Sequence, residues 1–183
     1  NSQRLRSGQL EDDEWETFTQ TIETLGELPM SFDDSPALTP SQLRSKCRKL
    51  RLHHRLDLVV VDYLQLMASD SRFENRVQEV GYISRQLKIL ARELDVPILA
   101  AAQLSRAVEM RTDKRPVLSD LRESGNLEMD ADIVLFLHRL EDPDEKGLTE
   151  VIVAKHRQGP TGVAKLLFQE STARFMNAVV KEG

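Results

Sequence analysis

The first group set up for chemistry in this chain is an aspartate at the end of an apolar run. Asp57-Leu58-Val59-Val60-Val61-Asp62 has the form of a buried strand that delivers the Asp62 carboxylate to its C-terminal end. In a nucleotide hydrolase a carboxylate so placed holds the magnesium of a bound nucleoside triphosphate, because that cation takes oxygen ligands, often through water. A second polar group, Gln103, ends the next apolar run, in Ala101-Ala102-Gln103-Leu104-Ser105-Arg106. Its neutral amide can sense a γ-phosphate through a hydrogen bond without adding charge. Lys155 and Arg157 lie in Lys155-His156-Arg157-Gln158-Gly159-Pro160 and share one face of an extended strand end, with His156 on the other. Cations at a turn tip can reach out of their own subunit. An arginine supplied in trans to a phosphoryl-transfer transition state is worth about 10³–10⁵ in rate. Ser119-Asp120-Leu121-Arg122-Glu123-Ser124-Gly125 places Arg122, Glu123 and Gly125 in a loop able to approach a phosphodiester backbone without reading bases.

Each string taken singly also has a plain structural reading: a loop cap for Asp62, the polar end of a strand for Gln103, a locally paired loop, a basic hairpin turn. No G-x-x-x-x-G-K-[ST] occurs among the 8 glycines, so no phosphate cradle of that type lies in this sequence. The 4 histidines do not suggest zinc: His53 and His54 are adjacent on a helix, and His138 has no second ligand nearby in sequence. The single Cys47 excludes an internal disulfide framework and reads as a structural thiol in a reducing compartment.

The elements that must position these groups follow from patterning. Gln9 to Trp15 reads as an acidic helix start, with a helix to about Leu25 and Gly26 as its stop. Residues 29–34 read as a short strand. Thr39 and Pro40 are an N-cap and first helical residue, opening a helix to about His54 with Leu43, Cys47 and Leu50 on its apolar face. Its opposite face is basic, a candidate nucleic-acid patch or a solvated helix face. Strand 58–61, a helix over 74–94 and strand 97–102 form a βαβ unit, with Val77, Val80, Ile83, Leu87, Leu90 and Leu94 as the helix stripe. Residues 133–137 read as a third buried strand, 141–147 as an acidic loop, and 150–154 with 163–168 as an edge hairpin. The expected fold is α/β, a mostly parallel sheet flanked by helices with a C-terminal antiparallel hairpin. Ligands in such sheets bind at the carboxyl ends of the strands.

The chain has 183 residues, 40% hydrophobic and 30% charged, enough for one domain with a core. Only 5% is aromatic and the net charge is −5, which argues against a base-stacking platform or a basic glove for nucleic acid. Any DNA contact must be local. No apolar run approaches the roughly 20 residues of a membrane span, and no signal peptide is visible. The opening Asn1, in place of Met, is expected of a fragment or a trimmed or processed chain.

Asp62-Tyr63-Leu64-Gln65-Leu66-Met67, Gln103-Leu104-Ser105-Arg106, Lys114-Arg115-Pro116 with the 119–125 loop, Asp130-Ala131-Asp132 and Lys155 to Pro160 occur in that order. Together they resemble the C-terminal RecA-like motor domain of the DnaB family of bacterial replicative helicases, over about residues 3–177. The resemblance implies an ATP- and Mg²⁺-dependent 5′-to-3′ DNA helicase that works as a hexameric ring on single-stranded DNA. It implies primase and loader partners and a cytoplasmic place in the bacterial replisome, or in an organelle of bacterial descent. By resemblance Asp62 is the Walker B acid that holds magnesium through water, and Gln103 is the γ-phosphate sensor. Arg122, Glu123 and Gly125 match the DNA-binding loop. Lys155 and Arg157 match the basic pair that reaches the neighbouring subunit, with Arg157 as arginine finger. The collar domain, the Walker A loop and the catalytic-glutamate segment are expected to be absent from 1–183, so the chain alone is expected to be inactive. The rivals are another RecA-like recombination or repair ATPase, and a non-catalytic subunit-interaction module.

Overall fold

The computed structural model describes residues 2–124, 126–140 and 147–178, with backbone alone for Ser2 and for 122–124. Gly125 and most of the expected acidic loop, 141–146, lie outside the described residues. In chain order the elements are α1 (Ser2–Ser7), α2 (Asp12–Glu27), α3 (Pro40–His53), β1 (Val59–Val61), α4 (Arg76–Leu94), β2 (Ile98–Ala100), α5 (Leu127–Asp130), β3 (Ile133–Arg139), β4 (Leu148–His156), β5 (Gly162–Gln169) and β6 (Arg174–Asn177). Short 3-10 turns occupy Leu64–Leu66, Arg106–Met110 and Leu118–Ser124. β1 and β2 form one parallel pair, and the other four strands form a sheet in the order β3-β4-β5-β6. The α/β fold, with a parallel sheet, flanking helices and a C-terminal antiparallel set, is the one the patterning implies.

The chain divides into two compact units, one of Ser35–His138 with Val151–Ala164, the other of Asn1–Asp34, Arg139–Glu150 and Lys165–Gly183. In the first, Thr39 caps α3: its hydroxyl accepts from the Gln42 N–H, and the Gln42 side chain accepts from the Thr39 N–H at 2.9 Å. Pro40 follows at the first helical position, where its missing N–H costs nothing. Asn75 caps α4 by accepting from the Gln78 N–H at 2.9 Å, and Asp95 ends it at φ 51°, a left-handed conformation that Asp tolerates.

The α4 stripe is the spine of this unit. Leu90 and Leu94 pack with Cys47, Val59 and Val96. Val80, Ile83 and Leu87 pack with Leu64, Leu121, Leu127, Val134, Phe136 and Ile152. Ile83 is wholly buried, a placement worth roughly 1.5–3 kcal/mol. Val77, expected on the stripe, is exposed, because it sits in the first turn beyond the packed length. The basic face of α3 is partly occupied: Arg44 and Arg48 pair with Glu93 of α4 at 3.3 and 2.6 Å, and Arg51 donates to the Leu94 carbonyl at 2.8 Å.

β1 and β2 are parallel in the register Val59↔Ile98, Val60↔Leu99, Val61↔Ala100. β3 departs from the expected third buried strand of this sheet. Its burial alternates, with Val134 and Phe136 inside and Ile133, Leu135 and Leu137 about half exposed. It pairs with β4: Leu140 N–H donates to Leu148 O at one end, and Arg157 N–H to Asp132 O at the other, the mark of an antiparallel pair.

In the second unit α2 runs through Gly26 to Glu27, past the expected stop. Leu28 ends it in an extended conformation because Pro29 disfavours helix in the residue before it. Residues 29–34 form no strand, since no described strand pairs with them. β5 and β6 pair antiparallel, with Phe168 opposite Phe175 and their ring centroids 4.8 Å apart.

Candidate functional site

The parallel ladder continues beyond the ends of β1 and β2 and carries two expected site residues to one edge. Ala101 N–H donates to Val61 O and Leu64 N–H donates to Ala101 O, each at 2.9 Å. Asp62 lies between these bonds, and Gln103 two residues beyond Ala101. The side chain of Gln65 then acts as one more strand neighbour. Its Nε2 donates to the Gln103 carbonyl and its Oε1 accepts from the Gln103 N–H, both at 3.2 Å. Buried Leu64 seats this turn, and Arg76 at the start of α4 donates to the Gln65 carbonyl at 2.5 Å. Gln65 is the residue the motif reading passed over. The signal for it was an amide shortly after a strand-ending acid.

The backbone here is bonded while the working side chains are open. Asp62 is exposed, its peptide to Tyr63 is cis, and among the described residues its carboxylate has no hydrogen-bond or ion-pair partner. The Gln103 amide is likewise exposed and without a partner among the described residues. No group of three or more His, Cys, Asp or Glu among the described residues forms a metal cage. One open carboxylate at a strand end instead fits a magnesium that keeps most of its shell from water and phosphate.

Lys155 and Arg157 form a separate cluster at the end of β4. Lys155 Nζ donates to the Glu128 carbonyl of α5 at 2.5 Å. The Arg157 guanidinium pairs through Nε with Asp132 at 3.3 Å, and Asp132 is also bonded by Lys88 of α4. The Lys88 hydrogen bond holds the Asp132 carboxyl below the usual carboxylate range, against partial burial, with the charges of Lys88, Arg157 and Arg92 adding to it. Both cations lean on the segment before β3, which the strand spacing alone did not show. His156 turns away: its Nδ1 lies 3.4 Å from the Pro160 carbonyl, and its ring lies over Gly159, where an added Cβ would come within 2.3 Å of Cε1.

The third expected group is held at both ends. The backbone of Arg122 and Glu123 lies in the Leu118–Ser124 turn. Before it, buried Asp120 accepts from Arg111 at 2.8 Å and from the Val117 N–H at 2.7 Å. After it, buried Asp130 accepts from Ser84 of α4 at 3.0 Å and pairs with Arg85 at 3.3 Å. The Arg122 and Glu123 side chains and Gly125 lie outside the described residues.

Residues 1–177 match the family model of the DnaB-like helicase C-terminal domain. Among curated proteins, the replicative DNA helicase DnaB of Mycobacterium leprae is 49% identical over 177 residues, covering 94% of this chain and 29% of that protein. The replicative DNA helicase DnaB of Geobacillus stearothermophilus is 47% identical over 182 residues, covering 97% of this chain and 40% of that protein. The chain thus spans well under half the length of these curated relatives. A solved DnaB-like replicative helicase, described with its interactions with primase, superposes with a TM-score of 0.90 at 38% identity, covering 97% of this chain and 44% of that one.

Proposed function

The chain belongs to the DnaB-like helicase C-terminal domain family, and from that premise we propose that it serves as part of the ATP-driven motor of a replicative DNA helicase. On this reading residues 1–183 are the C-terminal part of a RecA-like ATPase domain. They supply the cation and sensor edge of one nucleotide site and the finger for the site of a neighbouring subunit. The observation that carries the reading is the shared carboxyl edge of β1 and β2, where Gln65 locks the backbone of Gln103 and both Asp62 and Gln103 point open groups outward.

Asp62 would hold magnesium through water. That ion supplies charge neutralisation along the phosphates when bound. Gln103 would hydrogen-bond the γ-phosphate, so loss of that group frees its amide. Arg157, with Lys155 beside it, would reach the phosphates bound by the next subunit, a head-to-tail contact that closes into a hexameric ring. Arg122, Glu123 and Gly125 would face the DNA strand in the channel and take its backbone rather than its bases. Confining DNA to a channel agrees with a net charge of −5. Primase, a helicase loader and a bacterial cytoplasmic setting follow from the same reading. No helix among the described residues is long and apolar enough to cross a membrane.

The test is steady-state ATP hydrolysis by the purified chain, with and without single-stranded DNA. The sequence contains no phosphate cradle of the G-x-x-x-x-G-K-[ST] type, so no turnover is expected from the chain alone. Turnover abolished by Asp62→Ala would overturn the division of labour proposed here. The assembled helicase that contains the chain should hydrolyse ATP and lose that activity with the same substitution.

A further inference from the structure

We propose that Asp132 is the positioning residue for Arg157, gripping the guanidinium at its neck while Lys88 fixes the carboxylate from behind. The proposal rests on the reading of Arg157 as a finger. Arg157 is joined to Asp132 twice: its N–H donates to the Asp132 carbonyl at 2.8 Å, and its Nε pairs with Oδ1 of the same residue at 3.3 Å. The other carboxylate oxygen, Oδ2, takes the Lys88 ammonium. Lys88 is the least exposed of the three, its side chain 16% exposed, while those of Asp132 and Arg157 are 51% and 47% exposed.

Four physical points favour positioning over stability. A half-exposed ion pair contributes only about 0–1 kcal/mol, so folding gains little from it. A grip through Nε leaves the two terminal nitrogens of the fork for a second oxyanion, whereas a bidentate pair would have consumed them. With Lys88 against it, Asp132 does not cancel the finger: two cations and one anion leave the group at +1. An arginine carries about 2 kcal/mol of rotamer entropy, and part of that is already removed before any phosphate arrives.

The same segment, which follows the Leu118–Ser124 turn, has a second tie to α4. Asp130, two residues earlier, is tied to Ser84 and Arg85, one turn of α4 before Lys88. The segment after loop 118–125 and the holder of Arg157 are thus seated on one stretch of helix.

The experiment measures kcat and KM for ATP in the assembled helicase with saturating single-stranded DNA, together with thermal melting. Asp132→Asn should lower kcat by up to about 10²-fold, the scale of an ångström's misplacement, with KM and melting temperature unchanged. Asp132→Glu should recover part of the loss. In the Arg157→Ala background Asp132→Asn should do no further harm. Full kcat in Asp132→Asn beside a dead Arg157→Ala would overturn the proposal and leave the finger standing. Full kcat in Arg157→Ala would overturn the finger reading, and the proposal with it. A loss of kcat that comes with a lower melting temperature and is not recovered by Asp132→Glu would assign Asp132 an ordinary structural part and overturn the proposal.

Discussion

At the carboxyl ends of β1 and β2 the backbone is bonded and the side chains of Asp62 and Gln103 stand open. At the end of β4 the backbone is bonded as well, Arg157 N–H to the Asp132 carbonyl, but there both cationic side chains are also paired inside the chain. Length accounts for the difference. A short carboxylate on a fixed strand end is already aimed. Lys155 and Arg157 carry long, rotamer-rich side chains, and a group that must meet a partner across a boundary gains from being held. On the proposed reading, the edge that receives a ligand and the edge that reaches for one are therefore built by different means within one unit.

The strongest way to break this contrast is to ask which edge acts in its own subunit. Arg157→Ala should reduce ATP turnover of the assembled protein by about 10³–10⁵-fold. Mixed assemblies of Arg157→Ala and Asp62→Ala subunits should regain part of it, since each supplies what its neighbour lacks. Mixtures as inactive as their parents would place both groups in one subunit's site and end the contrast.

A core substitution probes what the two edges share. Ile83→Ala, at the deepest point of α4, should cost about 2–5 kcal/mol in urea unfolding. Turnover of the surviving folded fraction would show whether both edges loosen with their common spine. Gln65→Leu is a smaller change aimed at the receiving edge alone. It removes two hydrogen bonds to the Gln103 backbone and should cost about 1–2 kcal/mol. It should also weaken ATP-dependent turnover while leaving the Asp132–Arg157 pair intact by NMR. The smallest expected effect is in acid. Because its pKa in the folded chain is depressed, the carboxyl of Asp132 favours folding above its unfolded value of about 3.9 and loses that contribution as pH falls through the lower folded value. Carboxyl NMR should therefore show it ionised throughout pH 5–8 and titrating at a higher pH after Lys88→Met than before it.

What could be read from the sequence was what depends on near neighbours. Thr39-Pro40 announces α3, and the spacing from Val80 to Leu94 announces α4, because capping and the helical period are settled within a few residues. The same local reasoning misplaced the end of α2. Gly26 suggested a stop, yet nothing obliges a glycine to break a helix that Pro29 is about to end. The motif residues were legible, but their partners were not. Gln65 meets Gln103 across 38 positions and Lys88 meets Asp132 across 44, and such pairs follow from register and packing rather than from any string. β3 was misjudged for a related reason. Five apolar residues from Ile133 to Leu137 look like a strand buried on both faces, while the antiparallel pairing with β4 leaves alternate ones out.

The hold on Arg157 through Nε has a chemical consequence for what else that position can accept. Among cationic side chains, only a guanidinium can be anchored by one nitrogen and still present two more in a fixed plane. An ammonium offers three donors on a single centre and no fixed plane, so holding it by one leaves the others without a set direction. Lysine at 157 would keep the charge and lose the planar fork that is steadied at one nitrogen and presented at the other two, which makes the most conservative exchange by charge a poor one by geometry.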